Sequence, residues 1–371
     1  MPRRAASPGA AADLEDAPVE PTLAAGHARW PEETAAFARG FDRDALRVVS
    51  WNLQLLPGAF AGQGGCPASL ERRAKRIVDN VLALARATRV DVVAFQEVWH
   101  EGAARALRAG LRALFPHQHR PAAYCGLLTV TRAELPHAHA RFAPFRNTAG
   151  VEGWWFTKGV AAVVVGAAEG ETRETRETHE TRETCERRER RDRPFAVFNA
   201  HTQSDFWTSG ETTRASQMLQ TRALLDEMDR WPTLDSRGGA RSMTKLLVGD
   251  LNVAAGSEEC RAATRALGDP TDLLAARDAG ADETCTFPIG AYRPTTFESF
   301  PLCLMGSESF GAYVAKTPTR RLDHALRFPG AGEREGTEGT PSAAIVLAGL
   351  ARGEDGAPLS DHAPVFAVVQ R

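Results

Sequence analysis

The chain has 371 residues, of which 25% are charged and 43% hydrophobic, and its formal net charge is −2. This is the composition of an ordinary globular protein, and the near-neutral balance excludes a surface built to coat nucleic acid, though not a local basic groove. Its six cysteines are scattered with no Cys-x-x-Cys pair, which argues against a structural zinc site or a disulfide scaffold and leaves at most a bridge such as Cys285 with Cys303.

In chain order, residues 1–44 are rich in Ala, Pro and acids and are expected to form a disordered tail, with one short helix near Pro31 to Arg39. The opening MPRRAASPGAAADLEDAPVEP lacks the apolar core of a secretory signal, and no run in the chain reaches the ~18 apolar residues of a spanning helix. On sequence alone the expected location is cytoplasmic, with secretion left open and the compartment unassigned. A single domain is expected over residues 45–371. It begins with a strand, Leu46 to Asn52, that ends on a carboxamide. A helix from Ser69 keeps Leu70, Ala74, Ile77, Val81 and Leu84 on one face. Val90 to Val98 is an apolar strand, buried on both faces, that carries Glu97 near its end. A second helix holds Ala104, Leu107, Leu111 and Leu114 on one side. Tyr124 to Thr131 and Val160 to Val165 have strand character, separated by a polar, aromatic loop with Trp154, Trp155, Phe156 and Lys158.

Residues 170–193 form a low-complexity charged insert, ETRETRETHETRETCERRERRDR from Glu171. Its period of three fits neither helix nor strand, so it extends the turn between two strands. Phe195 to Ala200 is the next strand and ends on His201. A polar helix from about Glu211 to Arg230 leads to Lys245 to Val253, KLLVGDLNV. There a short apolar run meets Gly249, Asp250 and Asn252. If the extended geometry continues, Asp250 and Asn252 share one face; the plainer alternative is an Asp-Leu-Asn turn closing a strand. Thr271 to Tyr313 is loop-rich. Arg320 to Leu326 is a strand containing Asp323, Ala343 to Leu347 is another, and Ser360-Asp361-His362 leads into a last strand, Ala363 to Val369.

Polar groups thus recur at strand ends: Asn52, Glu97, His201, Asp250 with Asn252, Asp323, and Asp361 with His362. Oxygen ligands without thiolates suit Mg²⁺, Mn²⁺ or another hard divalent cation. Histidines paired with acids can move protons or contact phosphate oxygens. Together they suit metal-assisted attack of water on a phosphoester.

The ordered segments SWNLQ, DVVAFQEVW, NAHTQ, GDLNV, RLDHAL and SDHAPV resemble the endonuclease/exonuclease/phosphatase superfamily, over about Leu46 to Gln370. The resemblance implies a four-layer α/β/β/α sandwich of two packed, mostly antiparallel sheets. It implies Glu97 as the main Mg²⁺ ligand with Asn52 beside it, and Asp361 near the metal. His201 and Asn252 would contact phosphate, Asp250 would position or deprotonate water, and Asp323 would orient His362; the base is either Asp250 or His362.

Within the superfamily the chain is most similar to neutral sphingomyelinases. Gly126 to Val130, followed by Phe156-Thr157-Lys158-Gly159-Val160, matches their glycine strand and Lys-Gly-Val pattern, and His201-Thr202-Gln203 their His-Leu-Gln. This implies release of phosphocholine from sphingomyelin or a related phospholipid at a membrane surface, by a monomer. Lys158 and Trp155 would contact substrate, with further apolar tips from Trp154, Phe156 and the stretch Phe297 to Tyr313. His324, at a position where an aromatic is common, is a departure. The alternative is a Mg²⁺-dependent nuclease of the exonuclease III or deoxyribonuclease I type, which Ser360 to Val365 fits equally well. A binding protein that kept the fold and lost the chemistry is disfavoured, because every motif position holds a competent residue.

Overall fold

The computed structural model describes residues 30–56, 67–122, 124–150, 152–166, 194–205, 210–229, 243–275, 321–328, 342–347, 359–360 and 362–370. The charged insert, the stretch Phe297 to Tyr313, Cys285, Cys303 and Asp361 lie outside them.

Helices α1 (Trp30–Arg39), α2 (Pro67–Thr88), α3 (Glu101–Leu111), α4 (Glu152–Trp155), α5 (Glu211–Asp229) and α6 (Glu258–Leu267) accompany two six-stranded sheets. The first sheet is built from β1 (Leu46–Leu55), β2 (Val92–Val98), β3 (His117–His119), β4 (Leu128–Thr131), β11 (Ala343–Val346) and β12 (Val365–Val369), in the order β11-β12-β1-β2-β4-β3. The second is built from β5 (His137–Pro144), β6 (Gly159–Val165), β7 (Phe195–His201), β8 (Thr244–Asp250), β9 (Thr271–Asp272) and β10 (Asp323–Phe328), in the order β5-β6-β7-β8-β10-β9. Both are mixed: β1 with β2 and β7 with β8 run parallel, and the remaining pairs antiparallel.

Side chains alternate across each strand, so each sheet has two faces to cover. On the outer face of the first sheet, Val49, Trp51, Leu53, Val93 and Phe95 pack with Leu70, Ala74, Ile77, Val81, Ala104, Leu107 and Leu111 of α2 and α3. On the outer face of the second, Ala196, Phe198, Ala200 and Leu247 meet Met218, Leu224 and Leu225 of α5. Between the sheets, Leu46, Val48, Val92 and Ala94 meet Val163, Phe195, Val197, Leu246, Val248 and Ala325. This is the expected four-layer sandwich.

The inner faces change character along the strands. Continuing with period two, β1 runs Leu46, Val48, Ser50, Asn52; β2 runs Val92, Ala94, Gln96; β7 runs Phe195, Val197, Asn199, His201; β8 runs Leu246, Val248, Asp250. Every one is buried, the polar Ser50, Asn52, Gln96, Asn199, His201 and Asp250 included. One end of the inter-sheet space is apolar and the other polar. Across it Gln96 Nε2 donates to Asn199 Oδ1 (2.7 Å) and to Ser50 Oγ (3.2 Å).

Several expectations are corrected. The folded body starts before residue 45: α1 seats Ala38 and Phe37 against the core, Phe37 meets Phe366 edge-on with 6.0 Å between ring centroids, and Thr34 is buried. β1 continues past Asn52 to Leu55. The polar loop before Lys158 contains β5, an edge strand whose Ala- and His-rich sequence carries little strand signal. α6 follows Val253 and is delimited by Ser257, whose hydroxyl accepts from Cys260 N at 3.0 Å, and by Gly268 at φ 89°.

Candidate active site

The strand-end residues that the structure describes converge at the polar end of the inter-sheet space. Asn52 and Glu97 come from the first sheet; His201, Asp250 and Asp323 come from the second. Asn52 joins them: its Nδ2 donates to Glu97 Oε1 (3.0 Å) and to Asp250 Oδ2 (2.9 Å), while its Oδ1 accepts from the Gln54 N–H (3.1 Å). In this arrangement Asn52 holds two carboxylates together, and its oxygen is turned to the backbone.

Gly249 makes the approach of β8 to β7 feasible. Its φ is 137°, and a Cβ there would lie 1.9 Å from Ala200 O, so no side chain fits. Asp250 follows, opposite His201 on one side and Asp323 on the other. Two acids facing each other across a sheet repel. His362 relieves the pair: its Nδ1 is 2.7 Å from Asp323 Oδ2, and its Nε2 is 3.7 Å from Asp250 Oδ2. Burial, the dominant cause, pushes the Asp250 carboxyl up to about 6; Asp323 adds to this, while His362, the Asn252 N–H and Lys158 oppose it.

Asp250 and Asn252 do not share an extended face. Asn252 has φ 51°, and its N–H donates to Asp250 Oδ1 (2.9 Å), so a tight turn reaims its amide, which donates to Thr202 O (3.2 Å). The plainer alternative, a turn closing the strand, is what the chain adopts. His324, the departure from the family pattern, anchors this turn: it is buried, and its Nε2 lies 2.8 Å from Val253 O.

Lys158 was expected to face substrate, yet its side chain is 2% exposed. Its ammonium bonds Thr202 O (2.7 Å), pairs with Glu152 Oε2 (2.9 Å) and lies 3.2 Å from His201 Nε2. Its contact is with His201. Burial, then Lys158, then His362 hold the His201 imidazole well below its usual basicity, so it is neutral at neutral pH and can accept a hydrogen bond from the lysine ammonium. Phe156 also turns inward and stacks on Trp99 at 4.3 Å. Trp154, by contrast, is 85% exposed, and Tyr124, whose carbonyl accepts from Thr157 N two residues before Gly159, is 67% exposed. The Trp155 side chain lies outside the described residues.

Residues not anticipated from sequence complete the support. Ser360 Oγ donates to Asn52 O (2.6 Å) and accepts from His362 N (3.1 Å), and Trp51 Nε1 donates to His362 O (2.9 Å), tying His362 to the end of β1. Glu152 holds Lys158. Ser50, Gln96 and Asn199 fix the sheets behind the site. Period-two parity with Asn52 and His201 marks Ser50 and Asn199 in the sequence; Glu152 and Trp51 carry no such signal.

One ligand atom each from Glu97, His201 and Asp250 lie within 4.8 Å of one another. The donor set is two carboxylates and an imidazole whose lone pair already faces Lys158, with no thiolate. Two acids held at hydrogen-bonding distance from one amide, one of them buried, fit a hard divalent cation such as Mg²⁺ or Mn²⁺. Glu97 and Asp250 would hold it and Lewis-acid polarisation of a phosphoryl oxygen is what it would supply. Among the described residues no helix is long and apolar enough to cross a membrane.

Comparison with known proteins agrees with this geometry. No curated protein matches the chain. Among solved structures, a sphingomyelinase C from Streptomyces griseocarneus has 19% identity over 88% of this chain and 99% of that chain, with a TM-score of 0.53. A beta toxin variant from Staphylococcus aureus with bound magnesium ions has 17% identity over 88% of this chain and 99% of that one, at 0.58. D. rerio TDP2 complexed with a single-strand DNA product has 12% identity over 88% and 99%, at 0.55. At these identities the likeness concerns the fold. The model of the Endonuclease/Exonuclease/phosphatase family, however, matches residues 49–362, most of the chain and all of the site described above. The chain belongs to the endonuclease/exonuclease/phosphatase family, whose members are divalent-metal-dependent phosphoester hydrolases.

Proposed function

We propose that this protein is a phospholipid phosphodiesterase of the sphingomyelinase C type, releasing phosphocholine from sphingomyelin or a related lipid at a membrane surface. The observation that carries the lipid reading is Trp154. This large aromatic is 85% exposed on the short helix whose first residue, Glu152, pairs with Lys158. Exposed Tyr124 is linked to the same segment through its carbonyl bond to Thr157. Aromatic side chains are at home at headgroup depth, where one end meets apolar tails and the other meets water.

The residue roles follow from the contacts. Asp323 fixes the His362 tautomer with Nδ1–H donating, which leaves the Nε2 lone pair to take a proton from attacking water. Asp250, 3.7 Å away, orients that water. The Lys158–His201 pair sets a positive charge beside the carboxylates, where charge develops on phosphoryl oxygens. Asn252, aimed by its turn, offers an amide to the same oxygens. Asp361 and Trp155 remain assigned to the metal and the substrate on family resemblance.

A nuclease is the second reading, favoured by the TDP2 likeness at comparable coverage and opposed by the net charge of −2. The two are separated by assaying sphingomyelin vesicles, a short soluble choline phosphodiester and plasmid DNA, each with Mg²⁺ and with EDTA. Wild type should cleave the vesicles and the soluble diester with Mg²⁺ only. Trp154→Ala should cut vesicle hydrolysis at least tenfold while sparing the soluble substrate. Robust DNA cleavage, or equal loss on both choline substrates, overturns the lipid reading.

A further inference from the structure

The two sheets also meet at their edges, far from the catalytic end. β3 is the last strand of the first sheet and β5 of the second. Each carries a His-x-His: His117 and His119 on β3, His137 and His139 on β5. Four of the ten histidines in the chain thus fall on two adjacent edges. His137 pairs with Val165 of β6, whose other end, Gly159, pairs with His201. Six residues of strand separate them, about 20 Å at the usual rise, so this cluster lies outside the catalytic machinery.

Three of the rings share one neighbourhood. His117 and His119 pair with Thr131 and Thr129 and so lie on one face of β3, and the His117 and His137 rings are 6.0 Å apart between centroids. Burial and then His139 lower the basicity of His119, and His137 is lowered to about 4, chiefly by burial and then by His119 and His117. Both shifts favour the neutral imidazole, which is the form that binds metal. His117 Nε2 lies 3.2 Å from Ala133 O, on the crossing between β4 and β5. Nε2 of His119 and Nε2 of His137 are both buried with no hydrogen-bond partner among the described residues. Buried polar atoms ordinarily find a partner, so two orphaned nitrogens among three clustered imidazoles call for one. Protonation is a poor remedy, because burial and mutual repulsion oppose it.

We propose that His117, His119 and His137 form a second metal site, one that takes a borderline transition-metal ion such as Zn²⁺, Co²⁺, Ni²⁺ or Cu²⁺ and pins the edge strands of the two sheets together. Imidazole nitrogens select these ions over Mg²⁺ and Ca²⁺, which prefer oxygen. Among the described residues the trio of ligand atoms already within 4.8 Å of one another is the catalytic one. Closure at the histidine cluster therefore takes rotation of the half-buried rings about their side-chain bonds. The register shift in β5 between His137 and His139 sets His137 opposite Val165, on the inter-sheet face, and leaves His139 opposite Val164 on the helix face, outside the site.

The test uses the full-length protein in excess Mg²⁺, which occupies the catalytic end, titrated with Co²⁺ and read by its visible d–d absorption. Wild type and Glu97→Gln should both bind one equivalent, with no thiolate charge-transfer band. His119→Ala/His137→Ala should lose that band, and His137→Gln alone should weaken Co²⁺ binding at least tenfold; the single variant decides if the double one does not fold by circular dichroism. Zn²⁺ should raise the melting temperature of wild type and leave that of His137→Gln unmoved, while Mg²⁺-dependent turnover stays within twofold in both. A band that survives His137→Gln, that vanishes in Glu97→Gln, or that never saturates overturns the proposal.

Discussion

Glu97 and Asn252 both sit in the left-handed backbone region, at φ 56° and 51°. Non-glycine residues adopt it at a cost of about 1 kcal/mol or more, so surrounding contacts must hold them there. The conformation has a use: each residue is where a strand stops alternating and a side chain is re-aimed. After Gln96 has pointed between the sheets, the next residue in plain alternation would face the helices, yet Glu97 meets Asn52 and lies 3.6 Å from His201 Nε2. Glu97→Gln should therefore keep the fold, since the amide preserves size and hydrogen bonding, while turnover drops by orders of magnitude. EDTA should reproduce the loss on wild type, and full activity in the variant removes Glu97 from the site. Asp250 makes a pH prediction. Its carboxyl stands at about 6 in the fold against an ordinary 3.8, so between these values the folded state holds a proton that the unfolded chain has lost. In the cation-free protein its contribution to stability is complete below about 3.8 and is lost as pH rises through about 6. A cation displaces that proton, so its affinity should climb through the same window and level off above it. The melting-temperature gain from Mg²⁺ over EDTA should accordingly grow between about pH 5 and 7, and Asp250→Asn should flatten the curve. A gain independent of pH in wild type counts against Asp250 as a ligand.

Among the elements, β2 and β7 are coupled by a contact that neither strand's apolar sequence announces. Gln96 and Asn199 lie between the sheets, fully buried, and Asn199 Nδ2 also donates to Phe95 O at 3.0 Å. A polar pair in this position costs desolvation and returns specificity: the sheets have one register in which both amides are satisfied. Removing Gln96 strands Asn199 Oδ1, and removing Asn199 strands Phe95 O, at about 1–3 kcal/mol each. Asn199→Ala and Gln96→Ala should each lower stability by that amount, and the double variant should cost less than their sum, with a coupling above ~0.5 kcal/mol. Chemical denaturation of the four proteins measures it; strict additivity would mean that the amides do not act as a unit. The same contact shows where sequence legibility ended. Strands β1, β2, β7, β8, β10 and β12 were readable because both their faces are buried and their apolar runs are dense. β5 was not, because an edge strand half in solvent can be written in Ala, His and Arg. α6 was overlooked although Ser257, Glu258 and Glu259 mark a helix start, because only Leu267 of it is fully buried and the apolar stripe is weak.

At the scale of the whole molecule, the site is the polar end of a gradient that runs along the inner faces of both sheets. The strand-end residues Asn52, Glu97, His201, Asp250, Asp323 and His362 were legible one by one, since a polar group closing an apolar strand stands out. Their meeting point was not legible, because it depends on which strands neighbour each other across two sheets, and that is a long-range property. Lys158 illustrates the gap: its position was found, but its partners Glu152, Thr202 and His201 come together only in the fold. The domain boundary was misplaced for a related reason. Residues 31–39 have too few apolar groups to make a core of their own, and only against β12 and α2 does their small apolar face count. There Phe37 meets Phe366, and Ala38 joins the cluster of Val49, Trp51 and Ile77. Helix α1 also carries Glu32 and Glu33 in its first turn and Arg39 in its last, which suits the helix dipole once it is docked. Fully burying a Phe side chain is worth ~1.5–3 kcal/mol, and the partial burial of Phe37 together with the burial of Ala38 is enough to move the melting temperature by several degrees. Removing residues 1–29 should therefore leave the melting temperature within about a degree of wild type, whereas removing residues 1–44 should lower it by several. Phe37→Ala in the full chain should reproduce part of that loss, because it strips the contact with Phe366 and leaves the helix in place. Equal melting temperatures for the two truncations would mean that α1 rests on the body without stabilising it.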